Sequence, residues 1–95
     1  MNKSDLIEVL AKKMNLTQKK SESVINHVFN EMTDTLKKND KIEIRGFGSF
    51  TVKHYKPYTG RNPKTGDTIQ VKEKRLPFFK VGRELKKRVD GDADR

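Results

Sequence analysis

Apolar residues follow a helical period along the N-terminal part of the chain and a period of two beyond it. Leu6, Ile7 and Leu10 lie on one stripe that Met14 continues, which predicts a helix. Asn2 can cap it, with Asp5 three residues on, in the arrangement of a capping box. Asn15 interrupts the stripe, and Thr17 is a good N-cap for a second helix. That helix carries Val24, Ile25, Val28, Phe29, Met32 and Leu36 on one broad side. Lys37 and Lys38 suit the negative end of its dipole, and Asn39 suits a left-handed stop. Two antiparallel helices joined by a short turn are expected.

The change of period marks the start of a sheet. Ile42 and Ile44 alternate with charged residues, Gly46-Phe47-Gly48 makes a turn, and Phe50 and Val52 alternate with polar neighbours. Residues 55–74 read as a long hairpin, polar on both faces and so without a core of its own. Pro57 suits a free or edge ribbon. Leu76-Pro77-Phe78-Phe79 returns to apolar character as a third core strand, and residues 82–89 form a short basic helix. The aspartate-rich residues 91–95 read as a flexible acidic tail. The fold class is α+β: a base of two helices, a three-stranded antiparallel sheet, a protruding hairpin arm over about residues 54–75 and a short C-terminal helix.

The tip of the hairpin is Gly60-Arg61-Asn62-Pro63-Lys64-Thr65-Gly66, turn formers and basic residues around one apolar wedge. One reading is an ordinary surface loop. The other is a projecting arm that lies along a nucleic-acid groove and pushes its proline between base steps.

Charge separates the two readings. The chain has 95 residues, 22 Lys and Arg against 13 Asp and Glu, and a net charge of +9. Residues 1–44 hold 8 basic and 7 acidic side chains, whereas residues 45–89 hold 13 basic and 3 acidic. A basic half of this kind is a footprint for a polyanion. A membrane surface fits less well, because the basic half has no long amphipathic helix rich in large apolar residues. No apolar run approaches the length of a membrane span or a signal-peptide core, so a cytoplasmic protein is expected. Only 32% of residues are hydrophobic, so a lone chain can bury only a thin core. With no cysteine and only His27 and His54, disulfides and a usual zinc site are closed as remedies. A partner chain remains, and an obligate dimer is expected.

Little in the chain suggests catalysis. No nucleophile motif surrounds any serine, and no Walker-type Gly-Lys-Ser/Thr occurs. Gly46-Phe47-Gly48 lacks the third glycine of a dinucleotide site, since Thr51 stands there. His27, beside the apolar stripe of the second helix, reads as structural, and His54 as a weak phosphate contact. The expectation is a binding protein, not an enzyme, with no cofactor, no metal and no small-molecule substrate.

The order of elements, with Gly46-Phe47-Gly48-Ser49-Phe50, the tip from Thr59 to Gly66, and Phe79 before Gly82-Arg83-Glu84-Leu85-Lys86, strongly resembles the bacterial HU/IHF family of DNA-bending proteins. Within the family the stretches 42–50 and 61–67 look most like an IHF beta-type chain. The resemblance covers residues 1–90 and implies an intertwined dimer that bends double-stranded DNA through its minor groove. The partner would be a second copy or a related alpha-type subunit. Nucleoid organisation, recombination and transcription control would be the setting. Val28, Phe29, Met32, Phe47, Phe50 and Phe79 would form the dimer core. Pro63 would be the intercalating wedge, with Arg61, Asn62 and Lys64 at the minor-groove floor and nearby phosphates. Lys53, Lys56, Lys72, Lys74 and Arg75 would track phosphates along the arm, and Lys3, Lys80, Arg83 and Lys86 would hold flanking DNA on the body. Arg45, with Gly46 at the strand end, would either select a site in the minor groove or contact phosphate. Tyr58, with Tyr55, would stack on sugars or stiffen the ribbon. Two alternatives stand beside this reading: an HU-like homodimer without sequence preference, and an RNA-binding or ribosome-associated basic protein.

Overall fold

The computed structural model describes residues 1–91, and the remainder of the expected acidic tail lies outside the described residues. The chain divides into two compact units, Met1–Thr35 and the residues from Leu36 onward.

The first unit is helical. Helix α1 spans Lys3–Met14, and the capping box forms as the sequence implies. The Asn2 side chain accepts from the Asp5 N–H at 2.9 Å, and the Asp5 carboxylate accepts from the Asn2 N–H at 3.0 Å. Two of the orphan donors of the first turn are thereby satisfied. Asn15 ends the helix in the left-handed region at φ 54°, and the N–H of Leu16 returns to the Ala11 carbonyl. Thr17 then caps α2, Gln18–Lys37, by accepting from the Lys20 N–H at 3.1 Å. Ile7 and Ile25 are the only hydrophobic residues buried among those described, beside a fully buried Ser21. Val28 and Phe29 remain nearly half exposed. His27, read from sequence as structural, is exposed on α2.

The second unit carries the end of α2 and everything after it. Strands β1 (Ile42–Ile44), β2 (Gly48–Tyr55) and β5 (Lys74–Val81) form an antiparallel sheet in the order β1-β2-β5. The turn between β1 and β2 closes with the Phe47 N–H on the Ile44 carbonyl at 2.9 Å, and Gly46 supplies its φ of 84°. Gly48 is obligatory for a different reason. A Cβ there would lie 2.6 Å from both the Lys80 carbonyl oxygen and the Phe79 ring. That close approach lets Phe79 settle against Phe50 at 4.7 Å and Phe47 at 5.6 Å between ring centroids. Pro77 sits in β5, an edge strand, opposite Val52.

Strands β3 (Tyr58–Arg61) and β4 (Thr68–Val71) form the arm. The arm continues the β2–β5 pairing without a shift of register. Tyr55 pairs with Lys74 and Tyr58 with Val71, so two residues are skipped on each strand. The skipped residues are Lys56 and Pro57 on one side and Lys72 and Glu73 on the other, and Pro57 has no N–H to give a ladder. The arm differs from the sequence expectation in one respect: its two faces are not both polar. Directly paired residues share a face, so Tyr58, Val71 and Ile69 line one side with Gly60 between them, and Thr59, Gln70, Arg61 and Thr68 line the other. The Tyr58 ring leans over Gly60, 3.5 Å from where a Cβ would stand, and fills the gap the glycine leaves.

Helix α3 (Arg83–Asp90) follows β5 through Gly82, whose N–H donates to the Phe47 carbonyl at 2.9 Å. Glu84 lies in its first turn, Lys87 and Arg88 in its last, and Gly91 closes it at φ 69°.

Candidate nucleic-acid interface

The tip is a built turn and not a loose loop. The Asn62 N–H donates to the Asp67 carbonyl at 2.8 Å, and the Gly66 N–H donates to the Asn62 carbonyl at 2.7 Å. The Asn62 side-chain oxygen accepts from the Lys64 N–H at 2.9 Å, an Asx-turn that spans Pro63. Thr65 accepts from the Asp67 N–H at 3.3 Å, and Gly66 takes φ 77°. Pro63 is thus presented, exposed, from a turn braced on both sides. Asn62 spends its oxygen on this brace, which leaves its side-chain nitrogen as the donor for an outside group. Arg61 and Lys64, both exposed, flank the proline with positive charge.

Strand alternation sorts the remaining cations into groups. Lys53 is paired with Leu76, Tyr55 with Lys74 and Ser49 with Lys80, so Lys53, Lys74 and Lys80 share one face of the sheet. Phe78 belongs to that face as well, and the Lys53 ammonium sits 3.6 Å from its ring centroid. Lys74 lies 5.8 Å from the Tyr55 ring. The opposite face carries Phe50, Val52 and Phe79, together with His54 and its partner Arg75. Arg75 therefore does not stand in the lysine row. Its guanidinium donates to the Asn39 side-chain oxygen at 2.6 Å and to the Lys37 carbonyl at 3.3 Å, at the end of α2.

Lys56 and Lys72 occupy the ladder break at the root of the arm, and both are exposed. Arg45, Gly46 and Lys80 line an open groove of about 570 Å³ that Glu43, Ser49 and Gly82 also border. Arg83 and Lys86 are exposed on α3, and Lys3 opens α1 in the helical unit. Sequence reasoning missed Phe78 beneath Lys53 and Asn39 as an acceptor for Arg75. For Phe78 and Arg75 the signal was present, since counting residues along β5 separates 75, 77 and 79 from 74, 76, 78 and 80. Among the described residues no helix is long and apolar enough to cross a membrane, and no cluster of metal-ligating side chains occurs.

A small sheet that carries a basic hairpin with an exposed, braced proline defines an architectural nucleic-acid-binding protein. Residues 1–90 match the family model described as bacterial DNA-binding protein. The chain is 50% identical over 91 residues to integration host factor subunit beta of Shewanella pealeana, covering 95% of this chain and 96% of that one. It is 45% identical over 94 residues to the same subunit of Haemophilus influenzae, covering 98% and 100%. Among solved structures, the Anabaena HU–DNA cocrystal structure superposes with a TM-score of 0.84 at 31% identity, over 94% of this chain and 97% of that one. HU from Thermotoga maritima gives 0.67 at 30% identity, over 94% and 98%. The chain belongs to the bacterial DNA-binding protein family of HU and integration host factor, a family of architectural DNA-binding proteins and not of enzymes.

Proposed function

We propose that the chain is an integration-host-factor beta-type subunit that bends duplex DNA through the minor groove and acts in nucleoid organisation, recombination and transcription control. The observation that carries the reading is the exposed Pro63 at the centre of a hydrogen-bonded turn, flanked by Arg61 and Lys64. A rigid apolar ring with no N–H to satisfy suits insertion at a base step. Unstacking costs on the order of a few kcal/mol per step, offset by contacts that the bent flanks gain; HU and integration host factor are themselves the familiar examples of this mode. Lys53, Lys56, Lys72, Lys74 and Lys80 are the proposed phosphate contacts of arm and sheet. Lys3, Arg83 and Lys86 would hold flanking DNA, and Arg45 with Gly46 would meet it at the strand end. Tyr58 and Ile69 on the apolar face of the arm fit the sugar edges of a groove.

The working unit is proposed to be a dimer, with residues 1–90 as its single DNA-binding domain and the arm over about 54–75. Phe47 and Phe79 cluster with Phe50 yet stay 43% and 38% exposed, and Val28 and Phe29 are similarly open, which is surface for a second chain to cover. Met32 would join them. A related alpha-type subunit is the preferred partner, because the relatives at 45–50% identity are beta subunits. The expected location is the cytoplasm, on the nucleoid. Ligase-driven circularisation of duplexes shorter than the persistence length of about 150 base pairs tests the reading. Circles should form with the chain alone or with an alpha-type chain added. Linear products in both cases, with preferential binding to single strands or A-form helices, would establish the RNA-binding alternative instead. Equal affinity for a candidate site and scrambled DNA would assign the chain to the HU-like alternative.

A further inference from the structure

We propose that Arg75 is a positioning residue that fixes the root of the arm to the end of α2, and that it is not one of the cations that neutralise phosphate. The inference rests on the DNA-bending reading above and refines it. Two independent observations carry it. Register places Arg75 on the Phe50–Phe79 face of the sheet, opposite the face that holds Lys53, Lys74 and Lys80. Its guanidinium is also already engaged, at 2.6 Å from the Asn39 side-chain oxygen and 3.3 Å from the Lys37 carbonyl.

The acceptors are those a helix end provides. Lys37 is the last residue of α2, where carbonyls lack intrahelical partners and the dipole favours a cation. Asn39 holds the left-handed stop at φ 63°, with its N–H on the Leu36 carbonyl at 3.0 Å, which sets its side chain in place. Both oxygens are reached from one guanidinium nitrogen, Nη1, which has two hydrogens to give, one for each acceptor.

The location gives the contact its purpose. Arg75 is paired with His54, one pair before the ladder breaks at Lys56-Pro57 and Lys72-Glu73. With no ladder pairing across that break, the arm's direction is set by how firmly its root is held. From the Arg75 level to the tip is roughly 30 Å of extended strand at about 3.3 Å per residue, so a small rotation at the root displaces Pro63 by ångströms. Arg75 thus acts on DNA through the placement of Pro63.

The test uses the full chain, with its alpha-type partner if one is needed, on a labelled duplex. Binding is measured against salt, and bending by end-to-end energy transfer at saturation. Each neutralised phosphate contributes about 0.9 to the slope of log affinity against log salt. Arg75→Ala should leave the slope of the wild type unchanged and reduce the bent population severalfold. Arg75→Lys, which keeps the charge, should likewise leave the slope unchanged. Asn39→Gly, which keeps the left-handed stop but removes the acceptor, should reproduce the effect, and the double variant should be no worse than either. Lys74→Ala, in the lysine row, should lower the slope by about 1. A slope lowered by about 1 in Arg75→Ala and restored in Arg75→Lys, with normal bending by Asn39→Gly, would overturn the proposal. Unchanged bending in all Arg75 and Asn39 variants would overturn it too. A wild-type chain that fails to bend DNA would instead overturn the DNA-bending reading, and the role of Arg75 with it.

Discussion

Single residues decide whether the tip and the aromatic corner work. At Pro63 the prediction follows from the brace around it: Pro63→Ala leaves the bonding groups of Asn62, Lys64 and Gly66 and removes the ring, at the cost of a new N–H and a freer φ. Bending measured by energy transfer should fall more than affinity measured by titration, because phosphate contacts dominate affinity. Unchanged transfer would refute the wedge. At Gly48 a methyl group has nowhere to go, with the Lys80 carbonyl and the Phe79 ring both at 2.6 Å. Gly48→Ala should destabilise the protein by about 1–3 kcal/mol in urea unfolding, through overpacking. The special character of Pro63 and its turn formers was readable from the sequence. That of Gly48 was not: its neighbours come from β5, some thirty residues along, and only folding brings them there. The same holds for Arg75, whose composition marks it as one more cation while its partners at the end of α2 give it a different task.

At the scale of elements, local chemistry carried most of the information. The capping box at Asn2 and Asp5, the Thr17 cap, the left-handed Asn39 and the interruption at Asn15, though not its left-handed conformation, were legible, because a cap depends on residues a few positions apart. Asn2→Ala should lower stability by about 1 kcal/mol, read as a shift in the denaturant midpoint without a change in slope. A larger slope change would mean that the cap controls more than its own helix end. The arm was legible as a hairpin, but its faces were not. A weak alternation in 68–72 does not reveal which residue on the other strand it meets, and pairing of Tyr58 with Val71 and Gly60 with Ile69 makes one side apolar. Pro57 was legible as a residue suited to a free or edge ribbon; that the ladder breaks there and resumes unshifted depends on both strands skipping equally.

At the scale of the whole molecule, composition anticipated a chain that cannot bury enough surface alone. Ile7 and Ile25 are the only buried hydrophobic side chains among the described residues, while Val28, Phe29, Phe47 and Phe79 stay open. The melting temperature should therefore rise with protein concentration, as mass action requires when folding and association are coupled. A midpoint independent of concentration would argue for a stable monomer and against Phe47, Phe50 and Phe79 as a shared core. The measurement that tests the central claim most directly is end-to-end energy transfer on a labelled duplex of roughly 35 base pairs, short enough that unaided DNA stays nearly straight. Titrated with this chain and, if needed, an alpha-type partner, the transfer should rise strongly and saturate, and it should collapse as salt is raised. Binding without any rise in transfer, by a folded chain with its partner present, would contradict DNA bending as its function.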